Sequence, residues 1–143
     1  MAQGLSHITF IVRDLDRMET ILSTVLGARK VYDSGTDTFS LSRERFFLVG
    51  DGENAVWIAT MEGEPLPSRT YNHVAFKIDD ADYDACLYHV KAQGLEMREG
   101  RSRVAGEGRS IYFYDDDNHM FELHTGTLEE RLKRYAAGKG VAA

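Results

Sequence analysis

The stretch His7-Ile-Thr-Phe-Ile-Val-Arg-Asp14 returns 66 residues later as His73-Val-Ala-Phe-Lys-Ile-Asp-Asp80. Each copy begins with histidine, carries phenylalanine three residues on and ends in aspartate. β-Branched apolar residues at strand-like spacing make each a strand. A helical pattern follows each strand. Asp14 caps a helix with Leu15, Met18, Leu22 and Val25 on its apolar face and Gly27 as the stop. Asp80 caps a second, with Tyr83, Leu87, Val90 and the stop Gly94. Aspartate satisfies the free N–H groups of a first turn, and glycine accepts the left-handed exit.

Short strands come after each helix: about 29–34, 38–42, 46–50 and 56–61 in the first half, and 96–98, 110–114 and 120–125 in the second. Asp115-Asp-Asp-Asn118 is rich in turn formers and separates the last two. The prediction is an α+β chain of two tandem βαβββ modules. Module 1 spans about 4–62 and module 2 about 70–126, within a single domain over 1–143. Both prolines fall in the linker 62–69. A last helix of about 127–136 opens on a capping box of Thr127 and Glu130, with Leu128, Leu132 and Tyr135 on one side. The Gly/Ala-rich tail 136–143 is expected to fray.

Hydrophobic residues at 43% and charged residues at 28% describe an ordinary globular chain of 143 residues. No apolar run is long enough to span a bilayer. A net charge of −6 argues against nucleic acid or an anionic membrane as a partner. It does not exclude a small anion, since the stretch from Arg98 to Arg109 holds four arginines, both ends included. The start of the chain has no secretory pattern, and one cysteine, Cys86, allows no internal disulfide. A cytoplasmic protein is expected, with Cys86 as a small apolar helix residue.

A lone histidine on a strand is usually structural. Two at matching places in a repeat are candidate metal ligands, because repeat symmetry brings their strands together around a pseudo-twofold axis. Glu122 in His119-Met-Phe-Glu-Leu-His-Thr125 is the candidate carboxylate. It sits between Phe121 and Leu123 on a strand expected to be buried, where an unpaired charge is costly. His124 faces the same way and is either a rival ligand or a residue that orients Glu122. His89 and His119 are read as structural. The matching strand of module 1, Val56-Trp-Ile-Ala-Thr-Met61, offers neither carboxylate nor histidine. Two histidines and one carboxylate leave coordination positions open for substrate and suit manganese or ferrous iron.

The paired modules and the His/His/Glu placement resemble the vicinal oxygen chelate superfamily. Within it, Gly4-Leu-Ser-His-Ile-Thr9, Arg69-Thr-Tyr-Asn-His73, Gly106-Glu-Gly-Arg-Ser-Ile-Tyr-Phe-Tyr114, Phe121-Glu-Leu-His124 and Gly126-Thr-Leu-Glu-Glu-Arg-Leu132 resemble the fosfomycin-resistance proteins. The likeness is strongest to the FosX type, the metal-dependent epoxide hydrolases of that group. It implies Mn²⁺ as cofactor and fosfomycin, a small phosphonate-bearing epoxide, as substrate. It implies His7, His73 and Glu122 as ligands, and Glu44 as the base that activates water. It places Thr9, Tyr112 and Arg131 on the phosphonate, with Arg103, alongside Arg101 and Arg109, lining the phosphonate loop. Thr9 also lies two residues after His7 on the same strand face, an argument independent of the family.

The same resemblance implies a homodimer in which modules pair across chains. Each site would take His7 from one subunit and His73 and Glu122 from the other. The stretch 101–108 has no lysine, unlike the potassium-binding loop of the glutathione-transferring branch, so neither potassium nor efficient glutathione addition is expected. The rival readings are a thiol transferase on the same scaffold, a ring-cleaving dioxygenase of the superfamily and a metal-free drug-sequestering protein.

Overall fold

The structure, a computed structural model, describes residues 1–99 and 107–139. Among the described residues it is α+β, with two four-stranded mixed sheets and three α-helices. In module 1, β1 (His7–Val12) leads to α1 (Leu15–Leu26), β2 (Arg29–Asp33), β3 (Glu44–Val49) and β4 (Val56–Glu62). In module 2, β5 (His73–Lys77) leads to α2 (Tyr83–Ala92), β6 (Met97–Arg98), β7 (Ser110–Tyr114) and β8 (Met120–His124), and α3 (Leu128–Lys139) closes the described chain. The sheet orders are β1-β4-β3-β2 and β5-β8-β7-β6. In each, the first strand runs parallel to the last strand of its module and the others are antiparallel. No helix among the described residues is long and apolar enough to cross a membrane.

Alternation assigns the two faces of each sheet their tasks. In the first, Val12, Phe47 and Ile58 are fully buried, as is Leu22 of α1, which contacts β2, β3 and β4. Asp14 caps α1 by accepting from Arg17 N–H at 3.0 Å, and Gly27 ends it at φ +66°. In the second, Phe113 and Phe121 stack with centroids 5.3 Å apart, and Val90 of α2 is fully buried. His7, Thr9 and Glu44 lie on the face of the first sheet opposite Phe47 and Ile58, as the strand registers require. His73, Tyr112 and Glu122 lie on the corresponding face of the second. Removing the Phe47 side chain leaves a core void, and Phe47→Ala should cost about 3–5 kcal/mol of stability, read as a lowered unfolding midpoint in denaturant.

Three expectations need correction. Residues 38–42 form no strand. Gly35 N–H bonds back to Asp33 Oδ1 at 2.8 Å and turns the chain at φ +63°. Phe39 and Leu41 then stand 75% and 87% exposed, without a neighbouring strand to cover them. Asp80 does not cap α2. It opens a 3-10 turn, Asp80–Asp82, and its carboxylate accepts from Arg109 Nε at 3.0 Å. Lastly, α3 runs on to Lys139, beyond the expected end near 136. Residues 140–143 lie outside the described chain.

The contacts divide the chain into two compact units, and the division does not follow the repeat. One unit holds Met1–Arg69 together with Asp115–His119; the other holds Thr70–Tyr114 and Met120–Ala143. The Asp115–His119 turn earns its place in the first unit through specific bonds. Asp117 Oδ1 accepts from Arg13 N–H at 3.1 Å and Arg13 Nε at 3.0 Å, and Arg17 Nε meets Asp116 at 2.9 Å. Leu66 N–H donates to Asp117 O at 3.2 Å, and Asn118 Nδ2 donates to Leu66 O at 2.7 Å. Buried Asp115 braces the turn from within, accepting from Asp117 N–H and His119 N–H at 2.9 and 2.8 Å and meeting His119 Nδ1 at 2.7 Å. His119 is thus structural, as expected.

Candidate metal centre

Two strands meet to make the best-defined polar cluster of the second unit. β5 and β8 are parallel, with Ala75 opposite Glu122, so His73 and Glu122 stand two residues apart on one face. His73 Nε2 lies 3.0 Å from Glu122 Oε1, with the side chains 24% and 8% exposed. His73 Nδ1 lies 2.7 Å from the Tyr71 carbonyl oxygen. That oxygen only accepts, so Nδ1 carries the proton and Nε2 faces the carboxylate. An imidazole nitrogen and a carboxylate oxygen 3.0 Å apart are a donor pair that a divalent cation could take. Imidazole nitrogen with carboxylate oxygen suits Mn²⁺ or Fe²⁺, so the pair fits such a metal. Among the described residues, no three His, Cys, Asp or Glu side chains gather as a metal-holding group.

Glu122 has further neighbours. Ser110 Oγ lies 2.5 Å from Glu122 Oε2, and His124 Nδ1 lies 2.7 Å from Ser110 Oγ. Tyr112, opposite Glu122 on β7, packs edge-on to His73 with centroids 5.6 Å apart. Its hydroxyl is 3.4 Å from that of Tyr71. Burial, then the Tyr71 bond and the Glu122 charge, push the Tyr112 phenol well above its ordinary range. Tyr112 therefore stays a hydrogen-bond donor across neutral pH. In an alkaline titration followed by phenolate absorbance, Tyr112→Phe should lose signal only at the most alkaline end; loss near the ordinary tyrosine range would refute this.

The first unit carries the other candidates. His7 opens β1, with Ser6 Oγ 3.0 Å from its Nδ1 and the Trp57 ring 4.2 Å away, centroid to centroid. Thr9 follows two residues on, exposed on the same face. Glu44 opens β3 and is 8% exposed, where a solvated hairpin residue between two arginines would otherwise be read. Its backbone N–H donates to the hydroxyl of buried Ser34 at 2.9 Å, and its carbonyl accepts from Ser34 N–H at 3.0 Å. Next in line and on the opposite face, Arg45 meets Asp16, Glu19 and Asp33 at 2.8, 2.9 and 3.1 Å. That network holds the strand from behind. Register also explains why module 1 lacks a carboxylate ligand: Ala59 on β4 stands where Glu122 stands on β8.

The arginine expectations divide. Arg131, on α3, places Nε 3.2 Å from buried Glu107 and donates to Tyr135 Oη at 3.3 Å. Arg109 is turned to Asp80 and lies over the Tyr83 ring at 3.9 Å, at the start of α2. Arg101 and Arg103 lie outside the described residues. Ser110, Tyr71 and Trp57 belong to these clusters although the sequence reading singled out none of them. The signal for Ser110 was its alternation: two residues before Tyr112, it must share that face.

Comparison with known proteins follows the same lines. The family model of the Glyoxalase/Bleomycin resistance protein/Dioxygenase superfamily matches residues 4–123. The fosfomycin resistance protein FosX of Mesorhizobium japonicum is 65% identical over 96% of both chains. The crystal structure of FosX from Mesorhizobium loti superposes with a TM-score of 0.81 at 63% identity, over 94% of this chain and all of that one. A single-residue mutant of the genomically encoded FosX from Listeria monocytogenes, complexed with Mn(II) and 1S,2S-dihydroxypropylphosphonic acid, superposes with a TM-score of 0.82 at 51% identity, over 94% and 99% of the two chains.

Proposed function

The chain belongs to the Glyoxalase/Bleomycin resistance protein/Dioxygenase superfamily, and we propose that within it this protein is a Mn²⁺-dependent epoxide hydrolase that adds water to fosfomycin and so confers resistance to it. One observation carries the reading. A relative sharing half of this sequence is seen with Mn(II) and a dihydroxypropylphosphonic acid, the diol that water addition to the epoxide yields. Residues 1–143 act as a single domain, in the cytoplasm.

His7, His73 and Glu122 are the ligands in this reading. The close approach of His73 to Glu122 supports two of them. His7 joins from the other subunit of a homodimer. When bound, Mn²⁺ supplies Lewis-acid stabilisation of the negative charge that develops on the epoxide oxygen. Glu44 takes a proton from the attacking water, and its half of the reaction needs a carboxylate held still and largely shielded from solvent. Thr9, Tyr112 and Arg131 donate to the phosphonate, and Arg103 is assigned to the same anion. A donor phenol at Tyr112 suits that task, since it stays protonated near the Glu122 charge.

The test is product analysis by ³¹P NMR, with and without glutathione. Purified protein with Mn²⁺ should form the diol without any thiol, and chelation of the metal should stop it. A product that appears only with thiol would move the protein to the transferase reading. No product under either condition would remove fosfomycin as the substrate.

A further inference from the structure

Glu122 is an acceptor at both oxygens, and this fixes the direction of the bonds behind it. Ser110 Oγ, 2.5 Å from Oε2, must donate its proton to the carboxylate. Having given its only proton, Ser110 can only accept from His124 Nδ1, 2.7 Å away. The order is therefore His124 Nδ1–H to Ser110 Oγ–H to Glu122 Oε2, with His124 Nδ1 also 3.3 Å from that carboxylate oxygen. Register builds this arrangement, because Ser110 lies directly opposite His124 across β7 and β8 and Glu122 is next on the same face. Gly126 leaves room for the imidazole: a Cβ there would come within 2.8 Å of His124 Nε2 and 2.5 Å of the Glu107 carbonyl oxygen.

We propose that Ser110 and His124 are positioning residues that occupy Glu122 Oε2 and leave Oε1, the oxygen facing His73, as the one that meets the metal. The inference rests on the metal reading of His73 and Glu122. It assigns His124 a place behind the ligand rather than in the metal's coordination sphere.

The experiment measures Mn²⁺ affinity by electron paramagnetic resonance of the free ion, with thermal unfolding of the metal-free protein as a control on folding. Ser110→Ala should weaken Mn²⁺ binding roughly 10–100-fold, the range typical of groups that orient a ligand. Ser110→Thr, which keeps the hydroxyl, and His124→Asn, which keeps an N–H near the Nδ1 position, should recover most of it. His124 Nδ1 meets Ser110 Oγ at 2.7 Å and Glu122 Oε2 only at 3.3 Å, so adding His124→Leu to Ser110→Ala should cost clearly less than His124→Leu does alone. A Ser110→Ala protein that binds Mn²⁺ like the parent overturns the inference, as does a His124→Leu effect that adds in full to that of Ser110→Ala. Absence of Mn²⁺ binding by the parent protein would instead overturn the metal reading beneath it.

Discussion

Glu44→Gln should leave a folded protein that binds Mn²⁺ normally and hydrates fosfomycin roughly 10²–10⁴-fold more slowly, the span that a lost general base accounts for. The substitution keeps shape and polarity and removes only basicity. The backbone of Glu44 is tied to Ser34 on both sides, N–H to hydroxyl at 2.9 Å and carbonyl to N–H at 3.0 Å, so the new amide occupies the same place. The Arg45 network on the opposite face is untouched. Initial rates of diol formation read the effect directly, and a thiol supplied in excess tests whether ring opening itself survives. Diol formation at the parent rate would sink the base assignment while leaving the metal centre intact.

Glu122→Gln should have an effect at least as large, by a different route. A neutral amide opposite His73 no longer offers the charged oxygen a divalent cation seeks, so Mn²⁺ binding falls away and Lewis-acid stabilisation with it. If that stabilisation is worth about 4 kcal/mol, the rate drops roughly a thousandfold. The chain carries its own reporter. Its one tryptophan, Trp57, packs on the His7 imidazole at 4.2 Å, so paramagnetic Mn²⁺ held by His7 should quench its fluorescence. In the parent the quenching saturates with metal; in Glu122→Gln it should need far more. An unchanged titration midpoint would mean that Glu122 is not a ligand.

The repeat was legible because a strand-and-helix unit must solve the same burial problem each time it occurs. His7 and His73 open parallel edge strands in both sheets, and the alternation after each assigns the buried and open faces correctly. The 38–42 segment misled for the same reason. Thr38-Phe-Ser-Leu-Ser42 alternates like a strand, yet alternation states only that a strand would have two faces, not that a neighbour exists to pair with it. Asp80 has the chemistry of a cap, but Arg109 competes for it from 29 residues away, beyond any local rule. The ambiguity of His124 could not be settled from its own strand, because its nearest polar partner, Ser110, lies on β7 and meets it only through register. Asp115-Asp-Asp-Asn118 was recognisable as a turn, while its attachment to Arg13, Arg17 and Leu66 was not, because turn chemistry is local and docking is not.

That docking has a consequence for how the chain is made. The first unit draws its last five residues, Asp115–His119, from a segment that the ribosome delivers well after Arg69. At about 5–20 residues per second, the intervening stretch takes roughly 2–9 seconds to synthesise. During that interval Arg13 and Arg17 wait without their aspartates, and the N-terminal half cannot finish before most of the C-terminal half exists. Although the two halves read as copies, the first is completed only by a turn that the second supplies.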